Sequence, residues 1–185
     1  MEHNCRMNGY QNIIDKYYPV GSRRRDIYIH HCKQVACMAL DICHKLKLDI
    51  NEKQVETAAM LHDIGIFLTD AESIDCHGTE HYLRHGILGA ELLRKEGYPE
   101  EIARVAERHT GAGITADEIV KFRLSLPPKD LLPETQLERL VCYADKFFSK
   151  SGDMKQKTLE QVIASIEKFG QPSANRFAVL HKEFS

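Results

Sequence analysis

Apolar positions recur at three- and four-residue steps along most of the chain. Between Tyr28 and Leu46, Val35, Met38, Ala39 and Ile42 form one stripe, and His31 falls on it one turn before Val35. Asn51 with Gln54 has capping-box spacing for a helix through Val55, Ala58, Ala59 and Leu61 that ends near Gly65. Residues Thr69–Glu80 are polar and aperiodic, a loop long enough to serve as a lid. A helix from about His81 to Glu96 follows, closed by Gly97. Pro99 is placed as the first-turn proline of the next, which runs to about His109. Thr115 and Glu118 open a short helix, and Pro127, Pro128 and Pro133 mark an extended connection. Leu137, Leu140, Val141, Ala144 and Phe148 define a further helix with Asp145 on its inward side. Two weaker helical stretches, about 157–169 and 173–183, close the sequence. No segment has a convincing strand pattern, so the expected fold is all-α.

Composition keeps that picture and narrows the function. The chain has 185 residues, enough for one compact domain with a sizeable core. Its 43% hydrophobic and 28% charged residues are ordinary for a soluble protein. A formal net charge of −2 gives no basic footprint, so no nucleic-acid partner is expected. Arg23-Arg24-Arg25 is the one dense basic run, read as a solvated face near a helix start. No apolar run is long enough to span a bilayer, and MEHNCRMNGY lacks the build of a secretory leader. The expectation is a cytoplasmic protein with no membrane partner. Six cysteines (Cys5, Cys32, Cys37, Cys43, Cys76, Cys142) contain no CxxC and read as reduced thiols, which removes a zinc ribbon and a disulfide scaffold. A homodimer is possible, with Phe147, Phe148 and the C-terminal helices as its apolar surface.

The chemistry lies in His and Asp residues placed where helix patterns call for Leu or Ala: His31, His62-Asp63, His85, His109 and Asp145. Desolvating a carboxylate is costly unless it is paired or bound to metal. Several such residues on inward faces call for one shared partner, and a cation supplies it; mixed imidazole and carboxylate ligation suits a transition metal. His62 and Asp63 are adjacent, so on a helix their side chains diverge by about 100°. At a helix end they can still grasp an ion lying between their two directions.

The ordered series H…HD…H…H…D resembles the HD superfamily of metal-dependent phosphohydrolases, in its version with two additional histidines. The segments that carry the resemblance are HHCKQVACMAL, AAMLHDIG, HGILGAELL, AERHTGAG and YADKF, from His31 to Phe148. Order and spacing are similar to bacterial hydrolases that split diadenosine tetraphosphate symmetrically. RHTGAGIT and LPETQLERLVCYADK are similar to archaeal HD proteins of unassigned substrate. The resemblance implies an HD-domain helical bundle over residues 1–185, with a core motif region of about 28–150 and C-terminal helices, 157–184, packed on it. It implies a hydrolase of phosphate esters or anhydrides, of a nucleotide or dinucleotide, acting through a metal-activated water. One or two divalent ions (Fe, Mn, Mg, Ni, Co or Zn) are the implied cofactor.

Carried over by position, His31, His62, Asp63 and Asp145 hold the first ion. His85 and His109 complete a second site or contact the scissile phosphate, and Asp63 bridges and orients the attacking water. The catalytic set is thus Asp63, His85 and His109. Some two-metal relatives carry consecutive histidines at the fourth motif, whereas Thr110 follows His109 here, so one ion and two both stay open. Arg84, Arg108 and Lys146 are the candidate substrate contacts, each directly beside a candidate ligand; a surface role is the alternative for both arginines. His30, His44, His77, His81 and His181 gain nothing from the pattern and read as surface or loop residues, and the methionines as core filler. Two other functions use the same residues: a non-catalytic nucleotide- or metal-binding sensor, and an HD-type di-iron oxygenase.

Overall fold

In the computed structural model residues 9–185 are described; Cys5 and most of the segment on which the absence of a leader was read lie outside them. Among the described residues nine α-helices run in chain order: α1 (Gln11–Tyr17), α2 (Arg23–Leu46), α3 (Glu52–Leu61), α4 (His85–Lys95), α5 (Glu100–Arg108), α6 (Ala116–Lys121), α7 (Gln136–Asp145), α8 (Leu159–Glu167) and α9 (Gln171–Phe184). None is long and apolar enough to cross a membrane.

Helix α2 is the spine, and α3 and α7 lie against it. Helix α4 packs along α5, which in turn meets α3 and α7. The stripe read from Val35, Ala39 and Ile42 is buried, and His31 is buried with it. Helix α1, which no sequence signal announced, adds Ile13 and Ile14 to the same core. Val162 and Ile166 of α8 and Phe177, Leu180 and Phe184 of α9 join that core too.

Several local expectations are adjusted. Ser22 caps α2, its hydroxyl accepting from Arg25 N, so the helix starts earlier than Tyr28 and the arginine run forms its first turn. Arg25 is not simply solvated: it donates to the Tyr18 carbonyl and pairs with Asp15. Asn51 caps α3 through Lys53 N and Gln54 N with no return bond from Gln54, whereas Thr115 and Glu118 form a complete box. Pro99 occupies the N-cap position itself. Phe147 and Phe148 are buried core residues, so they offer no contact surface to a second copy.

The expected absence of strands is corrected at Thr69–Glu80. Two-residue strands β1 (Asp70–Ala71) and β2 (Cys76–His77) pair antiparallel there. Asp70 N donates to the Glu80 carbonyl and Glu80 N to that of Leu68, which ties the loop's base. Ile74 and Cys76 pack with Ile66 and Ile27, so the segment is a docked hairpin.

Candidate metal centre

Four helix ends and one helix middle converge on a single point. His31 comes from within α2, His62 and Asp63 from the turn that ends α3, His85 from the first residue of α4, His109 from the C-cap of α5, and Asp145 from the last residue of α7. All six are buried. Glycine makes the convergence possible. A Cβ on Gly65 would stand 2.3 Å from the His85 carbonyl oxygen and 2.4 Å from Gly89 N, so only glycine lets the chain after Asp63 lie against α4.

Two clusters share Asp63. In the first, His31 Nε2 lies 3.1 Å from Asp63 Oδ2 and 3.0 Å from Asp145 Oδ1. His62 Nε2 lies 3.2 Å and 3.4 Å from the same two oxygens. In the second, Asp63 Oδ1 is 3.4 Å from His85 Nε2 and 3.2 Å from His109 Nε2. Among the described residues these are the two groups of donor atoms able to hold an ion: His31, His62, Asp63 and Asp145, and Asp63, His85 and His109.

The protonation pattern favours a cation at both. His62 Nδ1 donates to the Ala59 carbonyl at 2.6 Å, His85 Nδ1 to Tyr82 at 2.7 Å and His109 Nδ1 to Ala106 at 2.8 Å. In the neutral ring each bond turns the Nε2 lone pair toward the cluster and so fixes the tautomer that can ligate an ion. His85 Nε2 and His109 Nε2 are only 3.0 Å apart. A shared proton does not explain that approach, because burial pushes His85 down to about 3 and also lowers His109. Oδ1 of Asp63 and Oδ1 of Asp145 are buried with only imidazole nitrogens near them, which is costly unless a cation compensates.

Two lysines supply part of that charge. Burial alone would raise the Asp63 pKa, but Lys150, with Nζ 2.7 Å from Oδ2, and then His62 outweigh it and hold the carboxyl well below its usual range. For Asp145 the burial effect is outweighed by Lys146, 2.6 Å from Oδ2, and by Lys150. Burial also opposes charge on His62, yet the neighbouring Asp63 and Asp145 carboxylates raise its pKa well above 6.5, so an ion binding there would displace a proton from Nε2. A divalent ion would meet a donor set already carrying two carboxylates and four imidazoles; the residues fit it.

Beside the second cluster opens a cavity of about 310 Å³. His85, His109 and Asp145 line it, Lys146, Lys150 and Lys157 contribute cations, and Phe148 and Phe169 stand among its apolar lining. Lys146 therefore lies where the sequence placed a substrate contact. Neither Arg84 nor Arg108 lines the cavity. Arg84 pairs with Glu80 at 2.8 Å, and Arg108 with Glu134 at 2.8 Å and the buried Glu138 at 3.4 Å. His30, His44, His77 and His81 are exposed, and His181 meets the Tyr143 hydroxyl at 3.0 Å. Lys150 and Lys157 escaped the sequence reading: Lys150 lies in aperiodic chain beyond α7, and Lys157, expected to open a helix, stands in the connection before α8.

Comparison with known proteins agrees with this geometry. The HD domain family matches residues 28–149, from the spine helix to just past Asp145. The chain belongs to the HD family. It is 36% identical over 163 residues to an uncharacterised protein of Methanocaldococcus jannaschii, covering 85% of this chain and 87% of that one. It is 38% identical over 176 residues to a tRNA (cytidine(56)-2'-O)-methyltransferase of Thermoplasma volcanium, covering 95% of this chain but 46% of that protein. A Picrophilus torridus protein of the same description is 36% identical over 160 residues, with 42% of its length covered. The chain thus spans less than half the length of either methyltransferase. Among solved structures, the HD domain of the Listeria monocytogenes phosphodiesterase PgpH superposes with a TM-score of 0.55 at 15% identity, over 94% of this chain and 95% of that domain. That likeness confirms the all-α HD fold.

Proposed function

We propose that this HD-family chain is a metal-dependent phosphohydrolase acting on an ester or anhydride of a small phosphorylated compound, a nucleotide or dinucleotide, with the C-terminal helices as part of the same domain. The observation that carries the reading is the divided carboxylate of Asp63, one oxygen toward His31 and His62 and the other toward His85 and His109. His31, His62, Asp63 and Asp145 would hold one divalent ion, and Asp63, His85 and His109 a second. When bound, such ions polarise phosphoryl oxygens and bring a water's pKa toward neutrality.

The chain's own residues do the positioning. Asp63 is kept ionised by Lys150, so it can orient an attacking water by accepting its hydrogen bond at neutral pH. His85, neutral and buried in the cavity lining, stays free to ligate or to orient the phosphate. Lys146 and Lys150 place positive charge where a transferring phosphoryl group develops negative charge. The exposed ring of Phe169 at the cavity offers a face on which a nucleobase can stack.

The methyltransferase description belongs to proteins more than twice as long, and its activity is theirs. A panel of nucleoside mono-, di- and dinucleoside polyphosphates with Mn²⁺, Mg²⁺, Ni²⁺ and Co²⁺ tests the reading. Metal-dependent phosphate release supports it. Tight binding without turnover would instead return a sensor, and iron with oxygen consumption and no phosphate release would return an oxygenase.

A further inference from the structure

Of the three cavity lysines, two are already committed. Lys146 lies 2.6 Å from Asp145 Oδ2 and 3.1 Å from the His109 carbonyl, and Lys150 lies 2.7 Å from Asp63 Oδ2. Lys157 differs. It lines the same cavity, is half-buried, and enters no ion pair among the described residues. Its backbone is nonetheless fixed, since Lys157 N donates to the Phe147 carbonyl at 2.8 Å one residue before the Thr158 cap of α8. An ammonium group on a pinned backbone, in a concave site and with no carboxylate in ion-pair contact among the described residues, can receive an anion from outside.

Lys157 lies just before α8, whose Val162, Ser165 and Ile166 line the same cavity, while His85 and His109 reach it from the ends of α4 and α5. Burial lowers the Lys157 pKa; the Asp145 carboxylate opposes that, and Lys146 and Lys150 add to it as like charges, so three cations and one carboxylate set the charge around Lys157.

We propose that Lys157 is a specificity-determining residue that binds a second phosphate, next to the one attacked, and so selects substrates with a phosphoanhydride chain over simple monoesters. The proposal rests on the phosphohydrolase reading of the site. A phosphoanhydride then spans the cavity, with one phosphate over His85 and His109 and the next at Lys157, while Ser165 and Phe169 face the remainder of the molecule.

The test compares wild type, Lys157→Ala and Lys157→Arg on a nucleoside diphosphate and on an aryl phosphate monoester, and measures inorganic pyrophosphate binding by calorimetry on chelator-treated protein. Lys157→Ala is expected to lower kcat/KM for the diphosphate about tenfold more than for the monoester, and to weaken pyrophosphate binding similarly. Lys157→Arg should restore most of both. Equal losses on the two substrates, or unchanged pyrophosphate binding, overturn the proposal. Failure of wild type to release phosphate from any compound overturns the phosphohydrolase reading instead, and the pyrophosphate titration still decides the role of Lys157.

Discussion

Asp63 Oδ1 lies 3.2 Å from His109 Nε2, while its Oδ2 lies 3.1 Å from His31 Nε2, so one buried carboxylate faces two separate donor clusters. The two clusters should therefore be separable by mutation. His109→Ala removes a donor from the second only. It is expected to lower bound metal from two equivalents to one while the helical circular dichroism stays unchanged. Metal analysis by mass spectrometry reads this; unchanged stoichiometry would place His109 outside the ligand set.

Lys150 is expected to bear on chemistry as well as on stability, since it also pairs with the buried Asp63. With Nζ 2.7 Å from Asp63 Oδ2 at the cavity wall, it is positioned to offset phosphoryl charge. Lys150→Gln is expected to reduce kcat by about 10²-fold, the usual cost of deleting one preorganised electrostatic contact. Steady-state kinetics on the best substrate of the panel checks it.

Arg108 should differ, acting on stability alone. Its partners are Glu134, Glu138 and the Leu132 carbonyl, and Glu138 is 1% exposed. Arg108→Gln should cost about 1–3 kcal/mol of stability, because it strips a partner from a buried carboxylate that keeps Arg104, and should leave KM within about twofold. Denaturant melts and kinetics on one preparation decide it. A large rise in KM with unchanged stability would return Arg108 to the substrate contacts.

Gly65→Ala tests the packing that brings Asp63 to His85. The added methyl would lie 2.3 Å from a backbone oxygen, so α4 must shift. A loss of about 1–3 kcal/mol is expected, the range for overpacking, together with weaker metal binding.

The pH dependence of stability has a definite sign at Glu118. Burial opposes its ionisation, but the Thr115 backbone N–H and Arg176 outweigh burial and hold its folded pKa below 4.5. The unfolded state then binds more protons between the two values, so this contribution is complete above pH 4.5 and is lost as pH falls through the folded pKa. Glu118→Gln should flatten the acid arm of a Tm-against-pH curve and leave its shape near neutrality unchanged.

Much of this architecture can be read from residue periodicity. The α2 stripe places His31 inward, and the glycine after the His62-Asp63 pair marks the end of α3. What escaped reading has physical causes. Strands of two residues are too short to show alternation, so the Thr69–Glu80 hairpin has no period of its own. Arg84 and Arg108 illustrate helix geometry: a residue directly before an inward histidine points about 100° away, so sequence adjacency does not make it a neighbour in the site. Lys150 and Lys157 come from the segment between α7 and α8, where only tertiary folding decides which cations reach the cavity.

The shared carboxylate is the centre of the account, and Asp63→Ala addresses it most directly. Protein purified without chelator should lose both metal equivalents and release no phosphate from substrates that wild type hydrolyses. Retention of metal and of wild-type turnover by Asp63→Ala would contradict the account.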